Sequence, residues 1–120
     1  MILLDTDICL MLLKGNKKIL QSYCSLPEDI VVSEVTVQEL FLLANGSSDP
    51  ISNKITVEKF LLTVRIIHPD IETLKLAADL QYTQKRKGQP GVFQDILLYC
   101  LSKRYSARLI TTDARRYRFT

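Results

Sequence analysis

Apolar residues fall along this chain in two alternating rhythms, short continuous runs and longer stretches in which they recur every three or four positions. Residues 2–5, 30–32 and 64–68, together with ARLITT at 107–112, are compact and rich in β-branched side chains, with little polar alternation. That pattern predicts strands buried on both faces. Between them the period lengthens. Residues 7–13 carry Ile8, Leu12 and Leu13 at helical spacing before Gly15-Asn16 breaks the run, and 17–24 reads as a second helical piece. Leu26-Pro27-Glu28-Asp29 is a turn. In SEVTVQELFLLANG (33–46) Ser33 or Thr36 can cap, Glu39 lies three residues after Thr36, and Asn45-Gly46 closes the helix.

SSDPISN (47–53) reads as a polar loop and 56–63 as a short helix. Asp70 can cap a long helix over about 71–87, with Ile71, Leu74, Ala77 or Ala78 and Gln81 on one stripe. Its last turn, Lys85-Arg86-Lys87, suits the negative end of the helix dipole, and Gly88 follows. FQDILLYCLSKRY (93–105) is apolar nearly all round through Ile96–Leu101, as a buried helix is. Apolar strands alternating with helices predict an α/β fold, a parallel sheet covered on both faces, in a single domain over residues 1–120.

Composition narrows the class. Apolar residues make up 47% and charged residues 24%, a soluble globular balance. No apolar run approaches the roughly 18 residues of a membrane span, and the N-terminus has neither a basic leader nor a small-residue cleavage site. Cys9, Cys24 and Cys100 are widely spaced with no C-x-x-C pair, which suits reduced thiols in a cytoplasmic protein. His68 is the only histidine, so a Ser-His-Asp triad or a histidine-rich metal site is excluded.

Charge is distributed unevenly. Residues 85–120 hold nine basic and two acidic side chains, a net +7, whereas residues 1–84 carry −4. A basic C-terminal third fits a polyanion partner, and fits equally a solvated face.

The acids are the chemistry-bearing feature. In an open parallel sheet ligands bind beyond the C-terminal ends of the strands. Asp5 ends the first strand, Glu39 lies one turn into the helix after the second, and Asp113 follows the last. Asp95 interrupts an otherwise apolar helix, and it reaches that edge only if the 88–93 loop carries the chain back there. Carboxylates gathered in one crevice repel, and the usual relief is a hard cation such as Mg²⁺ or Mn²⁺, which would also activate water and neutralise a phosphodiester. Each acid has a plainer reading: Asp5 as the cap of the first helix, Glu39 as capping-box partner of Thr36, Asp113 as cap of a short turn at 113–117. Asp7 reads as a solvent-facing first-turn acid. Asp95 has no such alternative, because an unpaired buried charge costs several kcal/mol.

LLDTDI, VVSEVTVQEL and GVFQDILLYCLSKRYSARLITTD together resemble the PIN-domain ribonucleases, and within them the VapC-type toxins of prokaryotic toxin–antitoxin pairs. The resemblance implies a three-layer α/β/α domain with a short, mostly parallel central sheet. It also implies Mg²⁺- or Mn²⁺-dependent RNA cleavage, with catalytic acids Asp5, Glu39, Asp95 and Asp113. Of these, Asp5, Asp95 and Asp113 would be the metal ligands. Thr6, and Thr111 or Thr112, fall where the family has hydroxyls beside the metal. Lys85, Arg86, Lys87, Arg115 and Arg116 would contact RNA. A homodimer and a cognate antitoxin protein are the implied partners, with no membrane. The sequence departs from the pattern at Asp7, where Asn or Ser is usual, and at Phe93-Gln94, where a further polar residue often precedes the third acid. Two other readings stay open: a PIN-like module that binds RNA without cutting it, and an aspartyl-phosphate phosphatase using the Asp5-x-Asp7 pair.

Overall fold

The computed structural model describes residues 1–16, 18 and 29–119. The helical piece expected at 17–24, apart from residue 18, and most of the turn at 26–29 fall outside them. The chain runs β1 (Ile2–Leu4), α1 (Thr6–Leu13), β2 (Ile30–Ser33), α2 (Glu34–Asn45), α3 (Pro50–Leu61), β3 (Arg65–Ile67), α4 (Ile71–Arg86), α5 (Phe93–Arg104) and β4 (Arg108–Ile110), then a 3-10 turn at Ala114–Tyr117. All strand pairs are parallel, in the order β3-β2-β1-β4, with Leu3 registered against Val31 on one side and Leu109 on the other. From β1 the sheet grows through β2 to β3, and β4 is then added on the opposite side of β1. The crevice at the C-terminal ends of β1 and β4 is therefore where the winding direction switches, the place such sheets use for ligands.

The two faces follow the strand period of two. Ile2, Leu4, Val32 and Ile110 pack on one side with Ile8 and Cys9 of α1, Leu40 and Ala44 of α2 and Val57 of α3. Leu3 and Val31 pack on the other with Leu98 and Leu101 of α5, and Ala77 of α4 lies against Ile96, Leu97 and Cys100 of α5. The result is the α/β/α layering with a parallel sheet that the sequence implied.

Local departures have identifiable causes. The third helix starts at Pro50, inside the stretch read as a loop and well before 56, because the Asp49 side chain accepts from Ser52 N–H and proline suits the first helical position. Between Ser33 and Thr36, Ser33 is the cap of α2, accepting from Thr36 N–H at 3.2 Å. On α4 the buried residues are Thr73, Ala77 and Gln84, so the expected stripe holds at Ala77, whereas Ile71, Leu74 and Gln81 are exposed. Thr73 can be buried at no polar cost, since Asp70 Oδ1 accepts from both its N–H and its hydroxyl.

The link between α4 and α5 positions the site. Arg104, at the end of α5, donates to Asp70, the cap of α4, at 3.1 Å. The two helices thus pair antiparallel, and the 87–92 connection lies beside the first turn of α5. Gly88, at φ +70°, makes the left-handed turn out of α4. Gly91 lies so close under the Phe119 ring that a Cβ there would come within 2.9 Å of it. Phe119 also meets Tyr99 edge-on, with ring centroids 5.2 Å apart, and this clamps the C-terminal segment onto α5.

Candidate active site

Asp5 stands where β1 becomes α1. Its backbone N–H donates to Ile110 C=O of β4 at 2.9 Å, and its Oδ1 caps α1 by accepting from Thr6 N–H at 2.7 Å. The other oxygen is crowded. Oδ2 accepts from the Tyr117 hydroxyl at 2.6 Å, from Thr111 Oγ1 at 2.8 Å and from Arg116 Nη1 at 3.3 Å. The cap is thus a real role for Asp5, but it occupies one oxygen only. Three donors from the segment after β4 converge on the second.

Asp95 reaches the same place from α5. The antiparallel α4–α5 hairpin brings the first turn of α5 to the C-terminal sheet edge, so the return that the sequence left open does occur. Arg116 Nη2 donates to Asp95 Oδ1 at 2.5 Å and Nε to Oδ2 at 3.3 Å, a bidentate grip. One guanidinium therefore spans two carboxylates that are 90 positions apart in sequence. The Asp5 and Asp95 side chains are 2% and 8% exposed, and that of Arg116 is 38% exposed. The two acids hold Arg116 well above its usual range, Asp95 foremost by hydrogen bonding, so it stays charged.

Glu39 faces this pair from α2. Burial raises its carboxyl above the ordinary glutamate range, and the nearby Asp5 charge raises it further. A hydrogen bond from Thr6 and the Arg116 charge work in the opposite direction. The Thr6 hydroxyl also lies 3.3 Å from Thr36 Oγ1, which brings the starts of α1 and α2 together. Burial, with Asp5 and Asp7 adding to it, pushes the Cys9 thiol up to about 12. Burial beside the Asp5 carboxylate likewise raises Tyr117, so its hydroxyl keeps the proton that it donates.

The remaining predicted positions divide. Asp113 caps the 3-10 turn, and its Oδ1 accepts from Arg115 N–H at 3.3 Å and Nε at 3.2 Å. Its carboxylate is turned to Arg115, and its N–H donates to Thr111 Oγ1 at 3.2 Å. Of the two candidate threonines, Thr111 serves Asp5 and Thr112 serves Asp7. The Asp7 carboxylate is not simply solvated: Oδ1 accepts from Ile8 N–H at 2.8 Å, and Oδ2 accepts from the Thr112 N–H at 3.0 Å and also from its hydroxyl. Lys85, Arg86 and Lys87 lie exposed at the same end of the helical hairpin as Asp95, and Arg115 is exposed beside Asp113. Arg116, expected to face RNA, points inward to the acids. Tyr117 was not anticipated as a site residue. Its signal was an aromatic carrying a hydroxyl in the short segment after the last strand.

Among the described residues no group of three acids, histidines or cysteines is gathered closely enough to cage a metal ion. The donor chemistry nevertheless fits a hard cation. Magnesium needs only one or two protein carboxylates, with water completing its shell. Asp5 and Asp95 offer two, trained on a point that already holds a positive charge. As arranged here, that point is taken by the Arg116 guanidinium.

The chain belongs to the PIN domain family, which it matches over residues 2–120. Among solved structures it is similar to a chain of VapBC-1 from nontypeable Haemophilus influenzae, at 27% identity and a TM-score of 0.85, covering 99% of this chain and 92% of that one. A chain of VapBC2 from Rickettsia felis, bound to a promoter DNA fragment, superposes with a TM-score of 0.85 at 21% identity, covering 98% and 91%. VapC20 of Mycobacterium tuberculosis, a toxin that cleaves the sarcin-ricin loop, has the same fold at 16% identity and a TM-score of 0.72, covering 97% and 92%. No curated protein sequence matches. The chain is thus a VapC-like PIN domain. No helix among the described residues is long and apolar enough to cross a membrane.

Proposed function

We propose that this protein is a divalent-metal-dependent endoribonuclease, the toxin of a VapBC-type toxin–antitoxin pair, acting in the cytoplasm. The observation that carries the proposal is the convergence of Asp5 and Asp95, buried and 90 positions apart, at the sheet's switch point with Glu39 facing them. A fold does not maintain buried like charges in one crevice for stability's sake. A protein that only bound RNA would gain nothing from carboxylates beside a polyanion.

Asp5 and Asp95 would hold Mg²⁺ or Mn²⁺, with Glu39 facing them, and Asp113 would join them on turning its carboxylate away from Arg115. Bound there, the ion would supply Lewis acidity to a water and to the scissile phosphate. Thr111 and Tyr117 fix the Asp5 carboxylate by hydrogen bonds, and Thr6 does the same for Glu39. Glu39, with its raised carboxyl, is placed to hold or take a proton at the attacking water. Lys85, Arg86, Lys87 and Arg115 would draw in the RNA backbone. The phosphatase alternative is the weaker reading, because Asp7 is held by Ile8 and Thr112, away from the Asp5–Asp95 pair.

An antitoxin partner is supported by the VapBC complexes among the similar structures and by an open apolar groove. That groove, of about 260 Å³, is lined by Leu10, Leu13, Leu40, Leu43 and Val57. A homodimer is part of the same proposal, and the exposed Ile71 and Leu74 on α4 would suit it.

The test is cleavage of a mixed RNA pool by purified protein with Mg²⁺ or Mn²⁺, with EDTA, and with Asp95→Asn. The expected outcome is metal-dependent cutting, abolished by chelation and reduced by at least about a hundredfold in the variant. Equal cutting by a folded Asp95→Asn protein would refute the proposal.

A further inference from the structure

Arg116 is the unexplained member of the site. A chain that needs a cation between Asp5 and Asp95 for chemistry has already placed one there. The guanidinium makes three hydrogen bonds to the two carboxylates, at 2.5, 3.3 and 3.3 Å. It enters from the least buried side, since its own side chain is 38% exposed against 2% and 8% for its partners. The backbone on either side is anchored independently of it. Asp113 caps the turn, Tyr117 is buried with its hydroxyl on Asp5, and Phe119 packs on Gly91 and Tyr99. The side chain can therefore leave the acids by rotating outward while the segment that carries it stays in place.

We propose that Arg116 is the stand-in counter-ion of the metal site, and that a divalent cation and the Arg116 guanidinium occupy Asp5 and Asp95 in mutual exclusion. The inference rests on the metal-site reading given above. Two consequences follow from charge alone. Without metal, Arg116 relieves the repulsion between two buried carboxylates, so the fold does not depend on the ion. With metal, the ion must displace two ion pairs, one of them bidentate, so affinity is held below what the carboxylates alone would give. The displaced guanidinium, tethered next to the ion, is then available to an RNA phosphate. Arg116 is in this sense a positioning residue that sets metal affinity.

The experiment is Mn²⁺ titration of the purified full-length protein by calorimetry, cross-checked by the loss of the free Mn²⁺ paramagnetic resonance signal. Four proteins are compared: parent, Arg116→Gln, Arg116→Lys and Arg118→Gln. Circular dichroism and thermal melts verify folding, and Arg116→Lys keeps a cation in place should Arg116→Gln fail to fold. Arg116→Gln retains donors for the carboxylates but no charge, and should bind Mn²⁺ about tenfold to a hundredfold more tightly, the range set by charge-assisted hydrogen bonds. Arg116→Lys should lie between Arg116→Gln and the parent, because an ammonium cannot reproduce the bidentate grip. Arg118→Gln makes the same change in net charge two positions away on the exposed surface, and should stay within about twofold of the parent. Equal affinity in all four proteins, or an equal gain in Arg118→Gln and Arg116→Gln, overturns the exclusion while leaving the metal site standing. Absence of Mn²⁺ binding in every folded protein overturns both.

Discussion

Removing a single oxygen, in Tyr117→Phe, tests the site's construction without touching an acid. The Tyr117 hydroxyl donates to Asp5 Oδ2 at 2.6 Å from a residue only 9% exposed. A hydrogen bond to a charged group in such a position is worth about 1.5–3 kcal/mol. Phenylalanine keeps the ring, so no cavity cost is added. Thr111 and Arg116 still donate to the same oxygen, which leaves it partnered and places the loss at the lower end, about 1.5–2 kcal/mol. With an unfolding entropy of about 2.1 cal/mol/K per residue, this chain should lose roughly 6–8 °C in Tm.

The same pair predicts an alkaline signature. Tyr117 is raised above its ordinary 10.0 by burial first and by Asp5 next. Above about pH 10 the unfolded chain therefore releases a proton that the native protein keeps, and native stability falls as pH rises. The variant lacks this group, so the gap between the two proteins should narrow from about pH 10 upward. Urea denaturation of both at about pH 7, 9 and 11 makes the comparison, and charges common to both cancel. A loss under about 0.5 kcal/mol at neutral pH, or a gap that stays constant to pH 11, would refute the role assigned to the hydroxyl.

Three further outcomes are expected. Glu39→Gln should be more stable than the parent at neutral pH without metal, because burial and Asp5 disfavour the ionised carboxyl. A raised carboxyl contributes stability below its unfolded value of about 4.5 and loses it as pH rises, so paired melts at pH 7 and pH 4 should show the gain shrinking in acid. RNA cleavage by that variant should fall sharply, an exchange of stability against function at one residue. Gln84→Leu should stabilise by up to about 1 kcal/mol in urea titration. Gln84 is 4% exposed, and its Nε2 has no hydrogen-bond partner among the described residues. Cys9, fully buried with its thiol pushed up to about 12, should resist iodoacetamide in the native protein and react only in denaturant, as read by peptide mass spectrometry.

Most of the scaffold was legible along the chain. Strand and helix periods differ, so ILL, IVV and the run at 93–105 declared their elements, and Asp70 and Gly88 marked the ends of α4 in advance. Three of the acids could be placed at the sheet edge from connectivity, because a helix that follows a parallel strand starts at that strand's C-terminal end. Two readings failed, the start of α3 at Pro50, set by the Asp49 cap, and the inner face of α4. On α4, Ile71 and Leu74 looked like the inner stripe by hydrophobicity, yet both are exposed, and Ala77 with the capped Thr73 is buried instead.

The same kind of ambiguity governed the site. Thr111 and Thr112 are indistinguishable as text, but neighbouring residues leaving a strand point to different sides. One reached Asp5 and the other Asp7. Arg115 and Arg116 both read as basic surface, and the 3-10 turn sent one to Asp113 and the other between Asp5 and Asp95. The sequence alone determined the alternation of elements and which carboxylates could stand at the sheet edge, since these depend on local period and residue type. Tertiary structure decided which of them meet. Contacts across 90 or more positions depend on how helices rotate and hairpins return, and those choices minimise the energy of the whole packed core.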